Sequence, residues 1–233
     1  MISIVIPAFN EEKRILPTLE GLASFFGKKD FEIIVVFDGR DDTPGVVRKF
    51  ASERGLQKKV RVLQFKRRLG KGAAVLKGFA CVKGTEVLML DADSSVSPNE
   101  IPKLLSALKT SDIAIGSRYL RGSKTAISFA RFLFAMVFHQ VVRLLFSLPF
   151  KDTQCGFKAF RTGVAKKLSG RIKTNGFAWD VDMLVQARDL NLRVKEIPIT
   201  WRLDDGGSIT YANGLQTALK MFFALLKLRF SDG

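Results

Sequence analysis

Cysteine is almost absent from this chain. Cys81 and Cys155 are the only two. Neither stands at a metal-ligand or dithiol spacing, so a disulfide framework, a cysteine metal site and a redox pair are excluded. A reduced, cytosolic compartment is the simpler expectation. No secretory leader is expected, because residues 1–7 are too short a run and lack a basic start. Internal repeats, low-complexity tracts and a linker are also missing, so the expectation is one domain over 1–233. Acidic residues are scarce: 22 Asp plus Glu against 38 Lys plus Arg, a net charge of +16. That excess implies an anionic partner, whether nucleic acid, a membrane surface or a phosphate-bearing ligand. Nucleic acid is disfavoured, since the charges interleave with aliphatic and Phe-rich stretches and no base-stacking motif is present. No glycine-rich nucleotidyl-transfer loop follows the first apolar run, which argues against a nucleotide-sugar pyrophosphorylase.

Apolar residues are plentiful, at 47% of 233, enough for a large core. Short apolar runs alternate with helical periodicity. Residues 2–6, ended by Pro7, 31–37, 60–65, 87–91 and 112–116 read as strands. Between them, helices run from Asn10, expected as an N-cap, and over 46–54, 73–82 and 98–108. This order predicts an α/β fold, a mostly parallel Rossmann-like sheet with flanking helices. After the fifth strand the sequence predicts helices up to 168 and over 177–191, and a strand over 194–200.

The central stretch is 87–95, where an apolar strand runs into Asp91-Ala-Asp93. Residues i and i+2 of an extended chain point to one face. Both carboxylates can therefore leave the carboxyl edge of the sheet together, where open α/β sheets bind ligands. Two adjacent carboxylates repel, and a hard divalent cation that also holds phosphate would relieve them. A polar turn capping a strand is the plain alternative.

Residues 123–150 form a long apolar stretch. At 100° per residue, Ser128, Arg131, His139, Gln140, Arg143 and Ser147 fall in one half of a helical wheel. Leu133, Phe134, Val137, Phe138, Val141, Leu144 and Leu145 form the opposite arc. A span needs about 20 mostly apolar residues, and two arginines lie well inside this one. One or two amphipathic helices lying in a membrane interface are expected; a pair packed on the sheet and a true span are the alternatives. Residues 213–230 read as a second basic amphipathic helix for the same surface. Together these features suggest a nucleotide-sugar transferase acting on a lipid.

The chain resembles the family 2 glycosyltransferases of the GT-A fold, and within them the dolichyl-phosphate mannose and glucose synthases. The resemblance rests on six motifs in order. They are Pro7-Ala-Phe-Asn-Glu-Glu12, Gly70-Lys-Gly72, Asp91-Ala-Asp93, Gly116-Ser-Arg-Tyr119, Asp152-Thr-Gln-Cys-Gly-Phe157 and Trp179-Asp-Val-Asp182. It extends to Trp201, Arg202, Gly207 and Ser208. It implies that Pro7, Phe9, Glu11 and Asp38 contact the nucleoside, with Lys71 and Ala92 in the same pocket. Asp91 and Asp93 would hold Mg²⁺ or Mn²⁺ and the donor diphosphate. Arg118, Arg131 and Arg202 would meet phosphates; Arg131 can equally be a solvated charge on an amphipathic face. Asp180 and Asp182 would orient the donor sugar or the arginines, or Asp180 would cap its helix. Two departures stand out. Phe37 replaces the first of two acidic residues that usually end the second strand. Ser95 replaces a glutamine frequent in mannose synthases, which tilts the reading away from mannose.

The implied reaction is inverting transfer of a hexose from GDP-mannose or UDP-glucose to a polyprenyl (dolichyl) phosphate, a step in protein glycosylation. It would run at the cytoplasmic face of a membrane, with the enzyme held peripherally on an anionic surface. The alternative is a hydroxyl acceptor on a lipid or glycan, with Asp180 or Asp182 as the base.

Overall fold

A computed structural model describes residues 1–125, 129–202 and 211–230. Ser128, Gly207, Ser208 and the side chain of Arg131 lie outside the described residues. The first strands, β1 (Ile2–Ala8) and β2 (Phe31–Phe37), are apolar on both faces, as strands covered by helices on each side must be. They pair in parallel from Ile2↔Phe31 to Ala8↔Phe37. Helix α1 (Ile15–Phe26) joins them, and α2 (Thr43–Glu53) leads to β3 (Val60–Gln64). Then come α3 (Lys71–Ala80), β4 (Glu86–Met89), α4 (Ile101–Ala107) and β5 (Ile113–Ser117). A two-residue strand β6 (Lys124–Thr125) precedes the long α5 (Phe129–Phe146). The remainder is β7 (Lys158–Arg161), α6 (Thr162–Ser169), α7 (Trp179–Asp189), β8 (Val194–Pro198), β9 (Thr200–Trp201) and α8 (Tyr211–Phe230).

The main sheet has the order β3-β2-β1-β4-β7-β5-β8. Only β7 runs antiparallel, between β4 and β5; β6 and β9 form a separate parallel pair. One apolar cluster joins the sheet to α1, α2 and α4. The other joins it to α3, α6 and α7, and takes in Val142 and Phe146 of α5 with Leu225 and Leu228 of α8. This mostly parallel sheet with helices on both faces is the expected architecture.

Three local expectations need correction. Pro7 does not end β1: it pairs with Val36. Val5 accepts from Leu90 N, so residues 5 and 7 turn their main-chain groups toward β4. That strand has already stopped at Met89, so the missing proline N–H costs no ladder bond. Asn10 is not an N-cap. Its φ is +58° and its Oδ1 accepts from Arg40 N at 2.8 Å, which ties two edge loops together; α1 starts only at Ile15. Finally, β7 was not expected as a strand. It is four residues long and starts with Lys158, a charge that masks a buried position.

Candidate active site

The carboxyl ends of β1, β2, β4 and β5 open onto one cleft of about 340 Å³. Asp91 lies just past β4, and its Oδ1 is 2.7 Å from Lys71 Nζ at the start of α3. Burial alone would lower the Lys71 ammonium, but Asp91, with Asp180 and Asp93, holds it charged well above the ordinary lysine value. Asp93 Oδ1 accepts from Ser95 Oγ at 2.6 Å and Ser95 N at 3.1 Å. Between them Ala92 is buried, with its carbonyl bonded to Thr18 Oγ1 at 2.9 Å. Gly156 packs its backbone against Asp91 so closely that a Cβ there would sit 1.7 Å from Oδ2.

Glu11 faces the same place. Its carboxyl is raised to about 7: burial pushes it up, Arg14, 2.6 Å away, pulls it down, and Asp93 and Asp91 push it up again. The surplus of negative charge at the acidic pair is thus felt by a neighbouring side chain.

Asp38, at the end of β2, organises the next wall. One oxygen accepts from Leu69 N at 2.7 Å and Gly70 N at 2.9 Å, and the other from Arg68 Nη1 at 2.8 Å. The Arg68 guanidinium lies 3.2 Å from the centre of the Phe9 ring. Arg68 thus stacks on Phe9 and pairs with Asp38 along one wall of the cleft, and Pro7 borders the same cleft.

The third wall follows β5. Arg118 donates to both oxygens of Asp152, from Nε at 2.7 Å and Nη2 at 2.9 Å, and its own amide donates to Oδ2 at 2.9 Å. Burial raises the Asp152 carboxyl, but Arg118 outweighs that and holds it low; in return Arg118 is held above its ordinary value. Nη1 of Arg118 makes no hydrogen bond among the described residues.

Asp180, at the start of α7, reaches the cleft. It is ion-paired with Lys158, which also donates to Cys155 O. Both side chains are fully buried. Burial pushes the Asp180 carboxyl up while Lys158 and Lys71 pull it down. Burial likewise pushes the Cys155 thiol up to about 12, which leaves it protonated and inert.

The expected site residues therefore divide. Pro7, Phe9, Glu11, Asp38, Lys71, Asp91, Ala92, Asp93, Arg118 and Asp180 share the cleft. Asp182 does not: Oδ2 accepts from Lys173 N at 2.9 Å and Thr174 N at 3.0 Å, so it holds the loop before α7. Arg202 is exposed at the rim, its amide bonded to Ser95 O at 2.9 Å. Arg131 sits in the first turn of α5. Sequence reasoning missed Arg14, Arg68, Lys158, His139 and Gln154. Arg68 stands two residues before the Gly70-Lys-Gly72 motif, and its partner Asp38 was the available signal. Lys158 gave none.

The acidic pair suits a divalent ion. Among the described residues no three His, Cys, Asp or Glu side chains converge closely enough to hold a metal alone. Asp91 and Asp93 offer hard oxygens at a sheet edge, and ligand phosphates would have to complete the shell, as Mg²⁺ sites commonly require.

Residues 3–169 match the family model described as glycosyl transferase family 2. The dolichyl-phosphate beta-glucosyltransferase of Drosophila melanogaster is 35% identical over 226 residues, 90% of this chain and 69% of its own length. The Homo sapiens protein of that name is 31% identical over 250 residues, 100% of this chain and 76% of its own. Glucosyl-3-phosphoglycerate synthase from Mycobacterium tuberculosis, solved with Mn²⁺, uridine-diphosphate-glucose and phosphoglyceric acid, shares the fold. Its TM-score is 0.74 at 20% identity, covering 98% of this chain and 79% of that one. A family match over most of the chain, on a sheet whose strand ends bring the acidic pair and Lys71 together, makes this protein a glycosyltransferase of family 2.

Proposed function

We propose that this enzyme transfers glucose from UDP-glucose to a polyprenyl (dolichyl) phosphate, inverting the anomeric carbon, while held peripherally on the cytoplasmic face of a membrane. The observation that carries the acceptor is α5. This one helix lines the cleft with Ala135, Phe138 and His139 and exposes Leu133, Met136, Val137 and Leu144 on its outside. Phe222 and Phe223 of the neighbouring α8 extend the apolar surface. Patches of this kind mark contact sites, and with basic residues alongside they suit an anionic lipid surface. Among the described residues no helix is long and apolar enough to cross a membrane. The glucosyltransferase names of the relatives support the sugar, as does Ser95 in place of the mannose-synthase glutamine.

The residues divide the work. The wall of Phe9, Asp38 and Arg68 would meet the nucleoside. Asp91 and Asp93 would hold Mg²⁺ or Mn²⁺, which when bound offsets charge on the leaving diphosphate. Lys71 contributes a fixed positive charge beside it. An oxygen of the lipid phosphate bonds to the anomeric carbon as the bond to the diphosphate breaks on the opposite face. That oxygen is already anionic, so no side chain needs to take a proton. The carboxylates agree with this: Asp180 is tied to Lys158, and Asp182 is turned away. What the site must supply is neutralisation. Two unit charges about 4 Å apart repel by on the order of 4 kcal/mol at an effective dielectric near 20. Arg118 is placed to meet one phosphate through Nη1, and Arg131 and Arg202 are the further candidates.

Transfer from UDP-glucose and GDP-mannose to farnesyl phosphate, diacylglycerol and free sugars tests the reading. Glucosyl transfer to the lipid phosphate is expected, with Asp93→Ala losing nearly all of it while remaining folded. A preference for diacylglycerol or a free sugar would replace the proposal with a hydroxyl acceptor. Wild-type turnover by Asp93→Ala in EDTA would remove the metal.

A further inference from the structure

Besides the Glu11–Arg14 ion pair, the cleft holds two buried side-chain nitrogens with no hydrogen-bond partner among the described residues: Nδ1 of His139 and Nε2 of Gln154. Both residues line the cleft. Buried nitrogens are hydrogen-bonded in nearly all folded proteins, so an orphan pair in one cleft points to a ligand that meets them. His139 lies on α5 one turn after the cleft residue Ala135, which sets the two on one face of the helix. Gln154 lies two residues past Asp152, the carboxylate that fixes Arg118. The wall made by α5 and residues 151–154 thus combines two unpaired side-chain nitrogens with Lys151 and the open Nη1 of Arg118.

We infer that His139 Nδ1–H and Gln154 Nε2–H donate to the phosphate of the lipid acceptor, an inference that rests on the acceptor proposed above. A phosphate dianion has only acceptor oxygens, which matches a wall of donors. The donor diphosphate has its own proposed place at Asp91, Asp93 and Lys71, and the nucleoside at the wall of Phe9, Asp38 and Arg68. Leu133 and Val137 on the outside of α5 give the polyprenyl chain a path that ends at this wall. Directional donors also serve the chemistry. Much of the Arg118 charge is already met by Asp152. Two directional N–H groups hold two oxygens and leave the third aimed at the anomeric carbon.

The test uses His139→Phe, which keeps the ring, and Gln154→Met, which keeps the length; each removes the donor. His139→Asn restores an N–H close to Nδ1. Transfer kinetics with farnesyl phosphate are read beside calorimetric titration of UDP-glucose and thermal melting. The acceptor KM should rise at least tenfold in His139→Phe and in Gln154→Met, the Kd for UDP-glucose should stay within twofold, and His139→Asn should recover most of the loss. An unchanged acceptor KM in both variants overturns the inference and leaves the proposed function intact. Weakened UDP-glucose binding with a normal acceptor KM would place the pair against the donor sugar and overturn it too. A wild-type enzyme that ignores farnesyl phosphate and glucosylates a hydroxyl defeats the proposed function, and this inference falls with it.

Discussion

At the residue scale the tightest constraint is Gly156. Its φ is ordinary, so glycine is needed there for space alone: a methyl would occupy the position of the Asp91 carboxylate. Displacing a catalytic group by about 1 Å costs on the order of 10²-fold in rate. Gly156→Ala is expected to lose about that much in kcat, while Gly163→Ala, with open space around it, should be silent; kinetics on the two proteins checks this. Far from the site, Glu32 shows the opposite use of a carboxylate. Burial would raise it, but Ser3 Oγ at 2.7 Å, Lys83 N at 2.7 Å and Arg61 at 2.9 Å outweigh burial and hold it below the ordinary glutamate value. A carboxyl held low stabilises the fold above its unfolded value and loses that contribution as pH falls through the folded one. Glu32→Gln should therefore cost about 1–2 kcal/mol near neutral pH, and denaturant melts should show the gap closing below the usual carboxylate range. A gap that persisted in acid would mean that the side chain acts through shape.

At the element scale α5 and α8 behave differently from the faces expected of them. Leu133, Val137 and Leu144 of the expected apolar arc of α5 are exposed, Leu144 at 83%. Phe138 and Leu145 of the same arc instead turn toward the core. In α8, Phe223 and Phe230 are exposed while Leu225 and Leu228 are buried. Each helix thus divides its apolar surface between the protein and the outside. We expect Val137→Asp with Phe223→Asp to reduce binding to anionic vesicles at least tenfold without changing UDP-glucose affinity; vesicle co-sedimentation beside calorimetry decides it. Much of the architecture was readable from sequence for a physical reason. Continuous apolar runs such as 31–37 and the Asp91-Ala-Asp93 strand end carry their environment in their composition. β7 was not readable, because a buried Lys158 has meaning only beside Asp180, 22 residues away. Asn10 misled because a residue suited to an N-cap also suits a left-handed turn. For the site, the residues that point into the cleft from strand ends were legible. Those defined by a distant partner, such as Arg68 on Phe9, were not.

At the scale of the whole molecule the net charge of +16 sets how the enzyme meets a surface. Attraction between exposed charges is screened within about 10 Å at 0.1 M salt. Raising salt or adding carbonate should strip the protein from vesicles, and release by detergent alone would contradict the peripheral arrangement. The sheet order has a consequence for how the chain is made. Strand β4 carries the acidic pair, yet its outer neighbour β7 is supplied from residues 158–161, after α5. Until those residues leave the ribosome, β4 and β5 each present an unpaired edge toward the gap between them. Open edges of apolar strands are templates for aggregation. The nascent chain must therefore keep the β3-β2-β1-β4 sheet and the lone β5 from mispairing, with the oily α5 already synthesised, until one short reversed strand joins them and β8 follows. Synthesis beside a bilayer that shelters α5 would shield that intermediate, so the surface proposed for the enzyme's work would also guard its folding.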